Sequence, residues 1–286
     1  MNILYIGSSG PLSFLPLEAL IHSQFSPTAI AVDSIKHDVI STINKNSNSL
    51  EALAFFNNIP LIKLTKNLST NISKISEIQP DIIFVSCYAR KLPIEIISLA
   101  KIGCFNVHPS MLPAYRGPTP LFWQFRNGEE KFGVTLHRMT SKYDAGNIIS
   151  QRSMDMPDGV SKEDASKLLA TLASKMLLTS LPLIEQGTVN DIPQNETISS
   201  YHSFPQNEDY RVSVSWTAKR LYNFIKANKR EGVFFPCEIA GKDYELIEAT
   251  SYQEEAYLEL IDREFFISDD VLSFKCQKGY LQCVFK

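Results

Sequence analysis

Asn106 and His108 stand where an apolar run, Ile102 to Val107, gives way to Pro109 and Ser110. On an extended chain, residues two apart project from the same face, so Asn106 and His108 point together at the strand's carboxyl end. Pro109 disfavours helical backbone at the residue before it and keeps His108 extended. An amide beside an imidazole can polarise a carbonyl and stabilise the oxyanion formed when a nucleophile adds to it. The plain alternative is a hydrogen-bonded structural histidine. Further on, the strand-like Gly133 to Met139 leads into Ser141-Lys142-Tyr143-Asp144-Ala145-Gly146. Asp144 there is either the pivot of an Asx turn or a carboxylate able to accept a proton.

Positioning these residues requires a scaffold, and the sequence describes an α/β one. Ile3 to Ile6 is a compact apolar run that stops at Gly7-Ser8-Ser9-Gly10, and a helical pattern follows through Phe14, Leu17, Leu20 and Ile21. Apolar runs recur at Ala29 to Val32, Asp81 to Val85 and Ile102 to Val107, with helical segments near Leu50 to Phe56, Ile72 to Ile78 and Ile94 to Leu99. Near-continuous apolar strands alternating with helices predict a parallel sheet covered on both faces. Such sheets bind ligands beyond the carboxyl ends of their strands, where Asn106 and His108 fall. Gly7-Ser8-Ser9-Gly10 is neither a dinucleotide fingerprint nor a phosphate loop, and it reads as a tight turn.

From Ser161 an amphipathic helix is expected, capped by Ser161 with Asp164 three residues on, and ending by Gly187 or earlier at Pro182. Residues 188–209 hold Pro193, Pro205, several Asn and Ser, four acidic residues and no Lys or Arg, the composition of a linker. Trp216 to Lys226 is expected to be helical. Val233 to Phe235, Tyr244 to Ile247, Phe265 to Ile267 and Tyr280 to Phe285 are expected to be short strands. The division expected is therefore a catalytic domain over 1–187, a linker over 188–209 and a small domain over 210–286.

The 286 residues are 44% hydrophobic and 21% charged, which excludes disordered, collagenous and coiled-coil chains. Lys and Arg number 28 against 31 Asp and Glu, a net charge of −3, so there is no positive excess to gather nucleic acid. The five cysteines contain no CxxC pair of the kind that grips zinc, and their odd, scattered placement fits a reducing compartment. No cationic leader precedes the first apolar run and no run approaches a membrane span of about 18 residues, so the expectation is a cytoplasmic, full-length protein that does not enter a membrane.

Asn106-Val107-His108-Pro109-Ser110-Met111-Leu112-Pro113-Ala114-Tyr115-Arg116-Gly117 followed by Gly133-Val134-Thr135-Leu136-His137-Arg138-Met139 and Asp144-Ala145-Gly146 resembles the catalytic core of the 10-formyltetrahydrofolate-dependent formyltransferase family. That family includes methionyl-tRNA formyltransferase, the nucleotide-sugar N-formyltransferases and formyltetrahydrofolate hydrolase domains. The resemblance covers residues 1 to about 187 well and the tail loosely through Trp216 to Phe235. It implies a Rossmann-like, mostly parallel α/β sheet with a small, mostly β C-terminal domain. It also implies transfer of a formyl group from 10-formyltetrahydrofolate to a primary amine without a metal, with Asn106, His108 and Asp144 as the catalytic trio. The amine must attack while neutral, so Asp144 would help remove the ammonium proton, while His108 and Asn106 would stabilise the oxyanion. His137 would have a supporting structural role. The folate pocket implied is Ser86, Tyr88, Ala89, Arg90, Leu92 and Pro93 with Ser110, Met111, Leu112 and Pro113, whose backbone groups would read the pterin. Ala89 stands where many relatives carry Gly, Arg90 and Lys91 place two charges beside the pocket, and Asn147 stands where relatives often have Asp. Arg116 would meet an anionic part of the acceptor or the folate tail, or else form a salt bridge at a helix entry.

The resemblance leaves the amine open, and charge narrows it. Family members acting on tRNA carry a basic loop after the second strand. Here Ser34 to Leu50 has Lys36 and Lys45 against Asp38, filled out with Asn and Ser. Residues 188–286 hold 11 basic and 16 acidic residues, a net of −5, which repels phosphates. The strand Gly133 to Met139 with its Asp-Ala-Gly turn is similar to the domains acting on amino sugars. The expected acceptor is therefore a small nucleotide-linked amino sugar, with methionyl-tRNA the alternative. A 10-formyltetrahydrofolate hydrolase or a non-catalytic folate-binding module follows after that. A homodimer is left open. A dinucleotide oxidoreductase is disfavoured by the missing glycine fingerprint.

Overall fold

The computed structural model describes residues 1–33, 48–88, 90–255 and 264–286. Two compact units share the chain: one of Met1–Pro118, Phe132–Met154 and Ser166–Tyr201, the other of Thr119–Lys131, Asp155–Ala165 and His202–Lys286.

The first unit is an α/β structure around a seven-stranded sheet. Its strands are β1 (Ile3–Gly7), β2 (Ala29–Asp33), β3 (Leu61–Leu64), β4 (Ile82–Ser86), β5 (Gly103–His108), β6 (Lys131–Arg138) and β7 (Ile148–Asp155), in the order β3-β2-β1-β4-β5-β6-β7. The pairs β2–β3, β1–β2, β1–β4 and β4–β5 are parallel, and β6 runs antiparallel to β5. This is the Rossmann-like, mostly parallel sheet expected. Every residue of β1 and β4 is buried, as the near-continuous apolar runs required. Leu4, Ile6, Ile83 and Val85 pack on one side of the sheet with Ile75 and Ile96, which come from the helices α3 (Ile72–Ile78) and α4 (Ile94–Ile97). Strand order reverses between β1 and β4, so a crevice lies beyond their carboxyl ends, next to the end of β5.

The remaining helices are α1 (Pro11–Ile21), α2 (Leu50–Phe56), α5 (Pro120–Asn127), α6 (Lys162–Glu185) and α7 (Ala218–Asn228). Ser161 does cap the start of α6, its Oγ accepting from the Asp164 backbone N–H at 3.0 Å. The helix then runs through Pro182 to Glu185 rather than stopping at the proline. Contrary to the sequence expectation, α6 matches a membrane span in length and composition, with a mean hydropathy of 1.4 over 18 residues. Its apolarity has a local use, since Leu169, Ala173, Met176, Leu177 and Leu181 are buried in the first unit.

The second unit carries a five-stranded sheet in the order β10-β11-β12-β9-β8, made of β8 (Phe235–Ile239), β9 (Lys242–Gln253), β10 (Phe265–Ser268), β11 (Val271–Lys275) and β12 (Tyr280–Phe285). All neighbours are antiparallel. Thr217 caps α7, its Oγ1 accepting from the Arg220 backbone N–H at 3.2 Å. Fully buried Phe224 on α7 touches the rings of Phe122, Trp216 and Phe235 at centroid distances of 5.4, 5.8 and 5.7 Å. Removing that ring leaves a cavity at the meeting point of three others. Phe224→Ala should therefore lower the unit's stability by about 3–5 kcal/mol. The two tryptophans, Trp123 and Trp216, both lie in this unit, so urea unfolding followed by tryptophan fluorescence reads it directly. An unchanged midpoint would show that this cluster does not hold the unit together.

Candidate active site

β5 and β6 pair so that Asn106 lies opposite His137 and His108 opposite Thr135. His137, expected to be merely supporting, thereby enters the site. The loop after β6 brings back Asp144, whose side chain is only 12% exposed. Asp144 Oδ1 lies 3.6 Å from His108 Nδ1 and 3.6 Å from His137 Nε2, and it accepts from Asn106 Nδ2 at 3.3 Å. Asp144 Oδ2 accepts from the Gly117 backbone N–H at 2.9 Å. The expected trio is thus assembled around one carboxylate.

The hydrogen bonds fix the tautomers. His108 Nε2 donates to the Tyr115 carbonyl at 2.8 Å, so in neutral His108 the Nδ1 lone pair faces Asp144. His137 Nδ1 donates to the Arg138 carbonyl at 2.8 Å, leaving Nε2 to accept from Asn106 Nδ2 at 3.1 Å. Burial pushes the His108 pKa below its ordinary value, although Asp144 and the Tyr115 carbonyl pull upward. Burial would raise the Asp144 carboxyl, but in the acid range where it would take up a proton the protonated forms of His108 and His137 face it, and with the Gly117 N–H they hold it well below the usual carboxylate range. The site therefore presents an ionised carboxylate against an imidazole poised to take a proton on Nδ1.

Backbone geometry accounts for the glycines in the motifs. Gly117 sits at φ 113°, a conformation that frees its N–H for Asp144 and that a side chain would oppose. A Cβ on Gly146 would collide with the Arg138 carbonyl oxygen, so only glycine lets the Asp144 loop close on β6. Tyr115 and Asp144 themselves lie in the left-handed region at φ 61° and 48°. Such backbone is uncommon for these residue types and persists where surrounding bonds over-determine it.

A cleft of about 460 Å³ opens over this cluster, with Asn106, His137 and Asp144 on one side and Tyr88, Arg90 and Leu92 on the other. Lys91 and Lys142 stand exposed at its rim, and Lys91 Nζ lies 5.4 Å from the centre of the Tyr143 ring. Arg90 donates to Asp33, to the Thr65 carbonyl at 2.8 Å and to the Lys66 carbonyl at 3.1 Å, while Tyr88 Oη donates to Asp33 Oδ1 at 3.0 Å. The buried Nε of Arg90 has no hydrogen-bond partner.

The other expected pocket residues are placed differently. Ser86 is buried, its Oγ donating to the Leu12 carbonyl at 2.5 Å, and neither it nor Pro93 lines the cleft. Ser110 to Pro113 also lies off the cleft lining. The Leu112 N–H donates to Thr135 Oγ1 at 3.1 Å, and its carbonyl accepts from Gln151 Nε2 at 2.8 Å. Arg116 is 8% exposed and forms an ion pair with Glu196, the salt-bridge alternative, although this partner belongs to a later segment and not to a helix entry. Ala89 and residues 34–47, which include Lys36, Asp38 and Lys45, lie outside the described residues. Among the described residues no group of three or more His, Cys, Asp or Glu side chains is placed to hold a metal ion.

The fold is a mostly parallel α/β sheet with a half-buried carboxylate site at its edge, and comparison with known proteins gives its family. Residues 1–181 match the formyl transferase family model, and the chain belongs to that family. The bifunctional polymyxin resistance protein ArnA of Wigglesworthia glossinidia brevipalpis is 32% identical over 200 residues, covering 70% of this chain. Methionyl-tRNA formyltransferase of Thermotoga neapolitana is 33% identical over 195 residues, covering 66% of this chain. The match spans 28% and 62% of the lengths of these two relatives. In fold, the chain is similar over all of both chains to an N-formyltransferase from Helicobacter canadensis in complex with folinic acid and dTDP-3-aminofucose, at TM-score 0.74 and 21% identity. It is similar likewise to the sugar 3N-formyltransferase WlaRD, solved with dTDP and 5-N-formyl-THF, at TM-score 0.70 and 19% identity.

The pKa directions carry a stability consequence. His108 is held neutral by burial, so its contribution is present above the unfolded value of about 6.5 and is lost as pH falls through the lower folded value. The Asp144 contribution is present above the unfolded value of about 3.9 and is lost only at still lower pH. Urea midpoints measured from pH 7.5 to 3 should fall toward acid in the native chain, and His108→Asn should flatten the limb that starts near 6.5. An identical slope in that variant would mean that His108 is not buried neutral.

Proposed function

We propose that this member of the formyl transferase family moves the formyl group of 10-formyltetrahydrofolate to a primary amine of a small nucleotide-linked amino sugar. The observation that carries the reading is the ionised Asp144 carboxylate held between His108, Asn106 and His137 at the edge of a cleft of matching chemistry. The folate supplies the formyl carbon as the electrophile. Asp144, with His108 Nδ1 3.6 Å away, takes the proton that the acceptor ammonium must lose before it can attack. Protonated on both nitrogens, His108 becomes a charged donor for the negative charge that develops on the formyl oxygen, and the Asn106 amide adds a second donor once it turns from Asp144. The new amide bond forms as the bond from the formyl carbon to the folate nitrogen breaks; the attacking nitrogen gives up its second proton, the folate nitrogen gains one, and the one left over is released to solvent. Tyr88, Arg90 and Leu92 would hold the folate, with the exposed Lys91 and Lys142 offered to its carboxylates.

The amino-sugar acceptor rests on two supports. Solved proteins of similar fold are described with dTDP or a dTDP-amino sugar. The net of −5 over residues 188–286 disfavours a polyphosphate partner. Methionyl-tRNA is the second reading, because the Thermotoga neapolitana relative is a methionyl-tRNA formyltransferase.

Labelled 10-formyltetrahydrofolate incubated with the protein and a size-fractionated cell extract separates the two. Label entering a small amine identifies the acceptor by mass. Label entering a large fraction and released by ribonuclease would replace the sugar with tRNA. Asn106→Ala and His108→Ala should each slow transfer by roughly 100- to 1,000-fold while leaving thermal unfolding within a few degrees of the native chain. Full turnover by His108→Ala would overturn the mechanism.

A further inference from the structure

We propose that Gln194 is a positioning residue for formyl transfer, holding the Asp144 carboxylate in place through the backbone of the loop that carries it. The inference rests on the proton-accepting role proposed above for Asp144. Gln194 lies in the stretch whose composition reads as a linker, yet every hydrogen-bonding position of its amide is filled. Its Nε2 donates to the Asp144 carbonyl at 2.7 Å and to the Gly146 carbonyl at 2.7 Å. Its Oε1 accepts from Arg116 Nε at 3.1 Å and Nη2 at 2.7 Å. Two donors and two acceptor directions on one group are a property of the carboxamide: Glu lacks the donors, and Lys or Arg lacks the acceptor.

Arg116 carries the bracing to the opposite side of the carboxylate. Its guanidinium also grips Glu196, with Nη1 to Oε2 at 3.0 Å and Nη2 to Oε1 at 2.8 Å. Its backbone N–H donates to the Ser200 carbonyl at 2.9 Å, and the Tyr115 N–H donates to Ser200 Oγ at 2.8 Å. Arg116 is thus clamped between Tyr115, whose carbonyl orients His108, and Gly117, whose N–H binds Asp144. One short segment, Gln194 to Ser200, braces both the loop bearing the carboxylate and the loop bearing its donors. The segment buries little, since none of its residues is buried and Ile198 is 65% exposed, so a general contribution to core stability does not account for the arrangement.

The test compares Gln194→Ala, Gln194→Glu and Asp144→Asn in two measurements on the full chain. One is the rate of formyl transfer from 10-formyltetrahydrofolate into whichever extract fraction accepts label, with folinic acid affinity measured alongside. The other is the carbon-13 titration of the Asp144 carboxyl, assigned by its loss in Asp144→Asn, which needs no substrate. Both Gln194 variants should lose about 100-fold in transfer rate at saturating folate, the scale of a small misplacement of a reacting group, with folinic acid affinity unchanged. The Asp144 titration should move up toward the ordinary carboxylate range as its donors drift away. Native transfer by Gln194→Ala, or lost transfer with the titration unmoved, overturns the inference. If Asp144→Asn itself transfers at the native rate, the proposed role of Asp144 falls, and the titration in Gln194→Ala still decides whether Gln194 holds the carboxylate. Should the Gln194 variants fail to fold, Glu196→Gln loosens the same clamp from its exposed end. It should then give a smaller loss with a smaller upward movement, and an unmoved titration counts against the inference.

Discussion

A carboxylate taken out of water must be surrounded by donors, and the site of this protein is organised around that requirement at Asp144. Unpaired, a buried charge would cost several kcal/mol or neutralise. Here the Gly117 N–H and the Asn106 amide donate to it and the imidazoles of His108 and His137 stand 3.6 Å away, the groups coming from β5, β6 and the turn at Gly117. The antiparallel addition of β6 to a parallel sheet sets Asn106 beside His137, and the left-handed turns at Tyr115 and Asp144 aim the remaining groups inward. The left-handed backbone is held by hydrogen bonds that would be lost if either loop relaxed, so electrostatics and backbone conformation support one another.

The same constraint divides labour around the cleft. Asp144 and His108 are both sheltered: burial disfavours the charged form of His108, while the groups facing Asp144 favour its ionised form. Arg90, by contrast, is tied to Asp33 and to the chain after β3, and so braces the lining of the cleft. Arg90 and Lys91 in the Tyr88 to Pro93 loop thus have different environments. One is a half-buried brace across strand ends, and the other is an exposed cation beside Tyr143. A cation shared among carbonyls and a carboxylate tolerates burial that a free one would not.

The second unit is built on other principles. Its strands are antiparallel neighbours, its helix α7 is amphipathic, and its centre is a group of aromatic rings meeting at Phe224. Edge-to-face contacts of this kind give a small unit more stabilisation per residue than aliphatic packing alone.

Periodicity by itself determined the parallel core. β1, β2, β4 and β5 are apolar along most of their length because both faces are covered, with polar residues only toward their carboxyl ends, and that pattern is visible without coordinates. The order of Asn106, His108 and Asp144 was legible for a related reason, since alternation along an extended strand is a local rule. Elements with mixed polarity escaped: β3 is short and half-exposed, β7 is an edge strand with exposed positions, and α5 offers only eight residues. What only the tertiary structure decided is long-range pairing. His137 enters the site through strand register, and Gln194 through a return of the chain across about fifty positions to the Asp144 loop. Neither has a periodic signal, because a single hydrogen-bonding side chain at the end of a loop leaves no pattern in the residues beside it.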